Sequence, residues 1–288
     1  MIPREFEYHA PKTLPDALTL LRQFGDEAKL LAGGHSLLPM MKPRFAQPSH
    51  LIDLGRIAEL KGIREDGGHV VIGAMTTENE IIWSKLLQQR CPLLVEGARQ
   101  ISDPQVRYKG TIGGDISHGD PGNDHPALMV ALNASFVLRG PGGERVVAAD
   151  GFFLGTYVTQ MKPDEIMTAI RIPVPAAGSG YAYAKLKRKT GDFAAAAAAV
   201  LLRLKGGAVD DVRIALTNVG PTPLRAKKAE DALRGKRLDD AAIADAARLA
   251  RSICAPVRDQ RGDEQYKTAM AGEMTIRALT AARSRAAQ

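Results

Sequence analysis

Two short stretches of this 288-residue sequence carry more backbone freedom than a turn needs: "LLAGGHS" at residues 30–36 and "KGTIGGDIS" at residues 109–117. In each, a Gly-Gly pair follows an apolar, strand-like stretch with Ser or Thr nearby, and 80 residues separate Gly33 from Gly113. Consecutive glycines let the main chain approach a ligand closely and adopt φ > 0, so that successive N–H groups converge on anionic oxygens. Two such loops could cradle one pyrophosphate from both sides. Each could equally be a plain turn. A side chain at Gly33 or Gly113 is then expected to block the approach of a ligand while leaving the fold intact. A third stretch, "SHGDPGNDHPAL" at residues 117–128, sets Asp120, Asn123 and Asp124 ahead of a Pro-started helix. A carboxylate there could accept hydrogen bonds from ribose hydroxyls or cap the helix. His35 reads as a hydrogen-bond donor or a packed ring, and His35, His118 and His125 lack further ligands at metal-binding spacing, so no metal is expected.

Other chemistries lack their residues. There is no GxGxxG after a first strand, no GxxxxGK[ST] and no GxSxG elbow. Cys91 and Cys254 are the only cysteines, without a CxxC or a neighbouring His, which removes zinc and iron–sulfur sites and leaves two buried thiols. The net charge of +7 is spread over "KLKRK", "LRAKKAEDALRGKR" and the last helix, among Ala, Leu, Asp and Glu. That pattern suits solvated helix faces or an acidic partner. With one Trp, six Tyr and seven Phe, the chain lacks the aromatic interleaving of a nucleic-acid binder. No apolar run reaches the roughly 20 residues of a membrane helix, and "MIPREFEYHAPKT" places charges where a signal peptide is apolar, so a cytoplasmic protein is expected.

The elements that must hold these stretches are partly legible. Thr13 caps a helix with Pro15 in its first turn and Leu14, Ala17, Leu18, Leu21 and Phe24 on one face, ended by Gly25. Short strands follow at 29–32, in "HLIDLGRI" and in "GGHVVIGAMTT", and "TENEIIWSKLLQQRCPLLVEGARQI" is helical with a break at Pro92. A long glycine-rich loop is expected to run up to a helix at 126–133, then a hairpin turned at "GPGG". "RIPVPAAGSG" at 171–180 reads as a linker. Six alanines at 194–199 favour helix, yet the flanking pattern with Gly206-Gly207 favours a hairpin, which is preferred. The last 65 residues then continue as helices, one starting at Pro223.

Four ordered motifs, "LLAGGHSLLPMMK", "QVRYKGTIGGD", "GDPGNDHPALM" and "YAKLKRKTGDFA", resemble the FAD-binding medium subunits of the molybdenum hydroxylases, the xanthine dehydrogenase family. The likeness covers nearly the whole chain, and "GDPGND" with "KLKRKTGD" tilts it toward the carbon monoxide-oxidising branch. It implies an α+β protein: a two-subdomain FAD-binding domain of the vanillyl-alcohol-oxidase type at 1–177, split near residue 57, and a C-terminal domain of small antiparallel sheet plus helices at 178–288. It further implies that Ala32, Gly33, Gly34, His35 and Ser36 wrap the pyrophosphate, with Lys29 and Leu30 on the approaching strand. Thr111, Ile112, Gly113, Gly114 and Asp115 would form the second loop, Ile101 and Met167 would lie along the cofactor, and Asp124 would hold ribose hydroxyls. Lys185 would supply positive charge, and Asp192 and Phe193 would lie near the isoalloxazine. Asp115 departs from the family's usual TIGGN, and Phe193 stands where Tyr is frequent.

The expected role is an electron-transfer subunit. A large subunit with a molybdopterin cytosine dinucleotide Mo–Cu centre would oxidise CO with water, and a small subunit with two [2Fe–2S] clusters would relay electrons to FAD here. A quinone or other acceptor would take them onward. The complex is expected as a dimer of heterotrimers, cytoplasmic or attached at the inner face of the cytoplasmic membrane, with the basic C-terminal helices, including Lys227 and Lys228, as docking surface. The rival readings are a related hydroxylase acting on a purine, nicotinate, an aldehyde or an aromatic thioester, and a non-catalytic basic binding protein.

Overall fold

The first helix forms as its residues dictate: the Thr13 hydroxyl accepts the Asp16 amide at 3.2 Å, Pro15 sits in the first turn, and Leu14, Ala17 and Leu21 are buried. In the computed structural model, which describes residues 2–286, this helix (α1, Leu14–Phe24) covers a parallel three-stranded sheet. Its strands, β1 (Glu7–His9), β2 (Ala28–Leu31) and β3 (His50–Asp53), lie in the order β1-β3-β2. The first glycine pair follows β2 directly and leads into the short helix α2 (Leu37–Met41). Two 3-10 turns, Leu54–Arg56 and Ala58–Leu60, carry the chain to the second sheet.

That sheet is antiparallel, in the order β4-β5-β10-β6-β7, from β4 (Ile63–Asp66), β5 (His69–Gly73), β6 (Ser135–Gly140), β7 (Gly143–Ala148) and β10 (Ile166–Pro173). A ribbon of β8 (Phe153–Gly155) and β9 (Val158–Thr159) precedes β10. Between β5 and β6 run α3 (Glu78–Trp83), α4 (Lys85–Arg90), α5 (Pro92–Ala98), α6 (Pro104–Lys109), α7 (Ile112–His118) and α8 (Asp124–Ala131). The glycine-rich stretch expected as a long loop is therefore largely helical. Asp103 caps α6 and Thr111 caps α7 through their side chains, which offsets the low helix preference of the glycines. The second glycine pair consequently lies in the first turn of a helix and follows a helix, not a strand. Helix α8 starts at Asp124, ahead of the 126 expected from its proline.

The alanine conflict resolves as a hairpin. Strands β11 (Gly180–Leu186), β12 (Ala196–Lys205), β13 (Ala208–Thr217) and β14 (Leu224–Arg225) form the C-terminal sheet, with Gly206 and Gly207 at φ 59° and 77° in the β12–β13 turn. Strand β12 is central and buried on both faces, so its period of two feeds two cores: Ala197 and Ala199 join the core shared with α5, α8 and the second sheet, Ala196, Ala198 and Val200 the other. Alanine suits it because helices approach both faces. Pro223 starts no helix; β14 follows it, and α9 begins at Lys227 (Lys227–Leu233), before α10 (Asp240–Arg251) and α11 (Glu264–Arg285). Cys91 is buried as expected, whereas Cys254 is half-buried; burial pushes their thiols up to about 12 and about 11, so both stay protonated at neutral pH.

A Cβ on Gly180 would lie 2.0 Å from the Ala282 carbonyl oxygen of α11. Gly180→Ala is therefore expected to push α11 off β11 and lower stability by about 1–3 kcal/mol in chemical denaturation.

Candidate functional site

The two glycine pairs are brought into contact. A Cβ on Gly33 would lie 2.5 Å from the Lys109 carbonyl oxygen and 2.8 Å from Gly110 Cα, and one on Gly114 would lie 3.2 Å from Ala32 Cβ. Gly113 is pressed against Ala74, whose Cβ and carbonyl oxygen would stand 2.5 and 2.6 Å from the added atom. These are backbone contacts that cannot swing aside. The expectation that a side chain at Gly33 or Gly113 spares the fold is thus corrected: both glycines are packing positions between segments.

Along this seam opens a cleft of about 690 Å³, within the range of small-molecule sites. Lys29, Leu30, Ala32, Gly33, Gly34, His35 and Ser36 line one side; Thr111, Gly113, Gly114 and Asp115 line the other, with Ile101 and Met167 further along. The sides differ in what they offer. In the first turn, no protein group among the described residues accepts the amides of Gly33, Gly34, His35 or Ser36, and Gly34 takes φ 78°. In the second, the four amides from Ile112 to Asp115 are already used: Ile112 N–H to Thr76 O at 3.1 Å, Gly113 N–H to Ala74 O at 2.9 Å, Gly114 N–H to Thr111 Oγ at 3.3 Å, and Asp115 N–H to Thr111 O at 3.0 Å. The second glycine pair therefore has no amide left to offer a ligand. The second turn contributes a close wall and its side chains.

Five residues expected at the site do not line the cleft. Ile112 is fully buried beneath the turn. Asp124 is 6% exposed, and one oxygen accepts from Lys185 Nζ at 2.6 Å and the other from the Tyr183 hydroxyl. Lys185, buried and also bonded to Gln100 O at 3.2 Å, spends its charge on that carboxylate. Asp192 is held by Arg188 at 3.0 Å and Arg261 at 2.9 Å; burial opposes its charge, but the two guanidinium hydrogen bonds keep its carboxyl below the usual range. Phe193, half exposed, lies under the Arg261 guanidinium at 5.2 Å.

Other lining residues are not among those the sequence assigns to the cleft. Glu78, Ser117, His118, Tyr157, Met161 and Ile166 join the cleft wall. His118 drew notice only as a metal-ligand candidate, and the Thr77/Glu80 capping box marks the start of α3 at Glu78. Its buried carboxylate receives His125 Nε2 at 2.9 Å. Burial disfavours the imidazolium, yet the charge and hydrogen bond of Glu78, with Asp115 and Asp124 nearby, raise His125 to about 9. The His118 ring tilts over Tyr157 at 4.9 Å, and burial lowers its pKa against the pull of Asp120. Apart from the cleft, Glu7, His9 and His50 bring ligand-type atoms within 4.8 Å of one another, and His50 stacks on Phe24 at 3.8 Å.

An apolar cleft with one row of free amides suits an elongated ligand carrying an anionic group. Comparison with known proteins agrees. Residues 4–175 match the family described as FAD binding domain in molybdopterin dehydrogenase, and residues 181–282 match the CO dehydrogenase flavoprotein C-terminal domain. The chain is 61% identical to the carbon monoxide dehydrogenase medium chain of Hydrogenophaga pseudoflava, over 100% of both chains. It superposes with a TM-score of 0.98 and 63% identity on a chain of the Hydrogenophaga pseudoflava enzyme lacking the Mo-pyranopterin moiety, covering 100% of each. A chain of the cyanide-inactivated Cu,Mo-CO dehydrogenase gives a TM-score of 0.98 at 53% identity, covering 99% of this chain and 100% of that one.

Two outcomes are expected for the apo chain. Gly33→Ala and Gly113→Ala each lower unfolding stability by about 1–3 kcal/mol, because a backbone must shift to admit the methyl group. Because the folded pKa of His125 lies above its unfolded value of about 6.5, its contribution is complete below that pH and is lost as pH rises through about 9. Denaturation midpoints should accordingly fall between pH 6.5 and 9.5, and His125→Gln should flatten that part of the profile.

Proposed function

The chain belongs to the family of FAD-binding medium chains of the molybdopterin dehydrogenases, and on that premise we propose that it is the flavin subunit of an aerobic carbon monoxide dehydrogenase. The observation that carries this reading is a cleft with free amides at 33–36, in a chain that follows a carbon monoxide dehydrogenase medium chain over its whole length. The fit to FAD rests on three features of this chain: the volume of the cleft, its apolar walls at Leu30, Ile101, Ile166 and Met167, and the unpaired amides beside Ser36. Bound there, FAD supplies what no side chain here can: it takes electrons singly and releases them in pairs.

The residues divide the work. The amides of Gly33 to Ser36 and the Ser36 hydroxyl would bind the pyrophosphate, and Lys29 on β2 would add positive charge. Thr111, Gly113 and Gly114 hold the opposite wall at contact distance and exclude water. Ile101 and Met167 would lie along the cofactor. Lys185, Asp124 and Tyr183 brace α8 against the C-terminal sheet from behind the cleft wall. Asp192, clamped by two arginines, fixes the loop that presents Phe193. The chain's organisation into a FAD-binding domain at 1–177, with subdomains parting near residue 57, and a C-terminal domain at 178–288 belongs to the same proposal and is supported by family matches ending at 175 and resuming at 181.

The chain is a medium chain of a multi-subunit enzyme. Its partners would be a large subunit with the molybdopterin cytosine dinucleotide Mo–Cu centre and a small subunit with two [2Fe–2S] clusters, in a dimer of heterotrimers that passes electrons to a quinone or another acceptor. No helix among the described residues is long and apolar enough to cross a membrane. A cytoplasmic complex, with attachment at the inner membrane face, fits this role. Lys227 is tied to Asp150 at 3.2 Å, which leaves exposed Lys228 as the freer charge for docking.

The test is the visible spectrum of the purified complex before and after anaerobic CO. A flavin spectrum that bleaches with CO is expected. A flavin spectrum indifferent to CO, with clusters and molybdenum centre intact, would move the substrate elsewhere in the family, and absence of flavin after incubation with FAD would overturn the reading.

A further inference from the structure

Asp115 is the acidic side chain of the second turn on the cleft wall, and its surroundings are hostile to a negative charge. Its Oδ2 is enclosed and has no hydrogen-bond partner. All four amides of its own turn are committed to other acceptors, so none can turn to stabilise a carboxylate there. The Asn123 side chain bonds the Asp115 carbonyl oxygen at 3.1 Å and not the carboxyl. The charged neighbours are Glu78 from α3, Asp124 and His125 from α8, and Asp120 from the turn between α7 and α8. Of these, His125 alone is cationic, and its Nε2 is already engaged by Glu78. Burial, reinforced by the three carboxylates and opposed by His125, raises Asp115 to about 7. A pyrophosphate in the cleft would add further negative charge beside it.

We propose that Asp115 binds the flavin dinucleotide as a neutral carboxylic acid, donating its O–H in a hydrogen bond to a phosphate oxygen, so that cofactor binding by this chain takes up a proton. The inference rests on the FAD reading above. It gives the second turn, whose amides from Ile112 to Asp115 are all committed, a side-chain donor for the anion. A neutral carboxyl supplies the donor that a carboxylate lacks, and the dry, already acidic setting makes ionisation of a buried carboxyl beside a phosphate costly. His118 and His35 also line the cleft, and their protonation would favour an anion in the same direction. A variant must therefore separate them from Asp115.

The experiment is calorimetric titration of the apo full chain with FAD from pH 5.5 to 8.5, in buffers of different ionisation heat, for wild type, Asp115→Asn and Asp115→Ala. Expected for wild type is uptake of nearly one proton per FAD at pH 8 and a dissociation constant rising by up to tenfold per pH unit above about 7. Asp115→Asn should bind at pH 8 at least as tightly as wild type and lose that uptake, while Asp115→Ala should bind more weakly than wild type at pH 6. As a check independent of variant folding, the infrared difference spectrum of wild type on FAD binding should gain a protonated-carboxyl C=O band. Binding without proton uptake, uptake that persists in Asp115→Asn, or no such band would overturn the proposal while leaving FAD binding in place. Wild type that binds no FAD at any pH would instead overturn the functional reading on which it rests.

Discussion

Everything at the cleft depends on one close approach, that of the Gly33 backbone to the backbone of Lys109 and Gly110. It joins the parallel sheet, which carries the first turn, to the helical segment that carries the second. No side chain fits between them. The same seam is tightened by Gly114 against Ala32 and by Gly113 against Ala74, so three of the four paired glycines serve the meeting of chain segments. Gly34, at φ 78°, differs in adopting a left-handed backbone, with only side chains close to where its Cβ would stand. The cleft is what remains where this contact ends, and its width is fixed by main chain on both sides.

Behind that wall, charge is arranged in pairs that close on themselves. Glu78 answers His125, Asp124 answers Lys185 and Tyr183, and Asp192 answers Arg188 and Arg261. Buried pairs of this kind add little net stability, but losing one partner strands the other. Their geometric effect is to fix α3, α8 and the C-terminal sheet relative to one another. Asp115 stands outside these pairs, which is why its carboxyl differs in character from every other acid nearby.

Much of this was legible in the residues. Thr13, Pro15 and Gly25 marked the first helix at both ends because caps are local chemistry, and Gly206-Gly207 marked the β12–β13 turn for the same reason. The first glycine pair read correctly as a turn with amides to spare. The second did not. A helix that begins on two glycines is set by the Thr111 cap and by acceptors from Thr76 and Ala74, distant residues that no pattern within "KGTIGGDIS" announces. The pairing of Asp124 was hidden on similar grounds: its partners, Tyr183 and Lys185, come from a strand about 60 residues away. Tyr157 and His118 meet only because the β8–β9 ribbon folds back over α7.

Strand β12 has a consequence for how the chain is made. Because Ala197 and Ala199, with Tyr183 and Ala215, complete the core that α5 and α8 begin, the first 177 residues cannot close their own interior. During synthesis that surface waits, apolar and uncovered, until residue 217 has emerged. At about 5–20 residues per second the interval is roughly 2–8 s, long enough for a chaperone to engage the nascent chain. The alanines that let helices approach both faces of one strand thus also set the moment in translation at which the first of its two cores can close, the other waiting for α10 and α11.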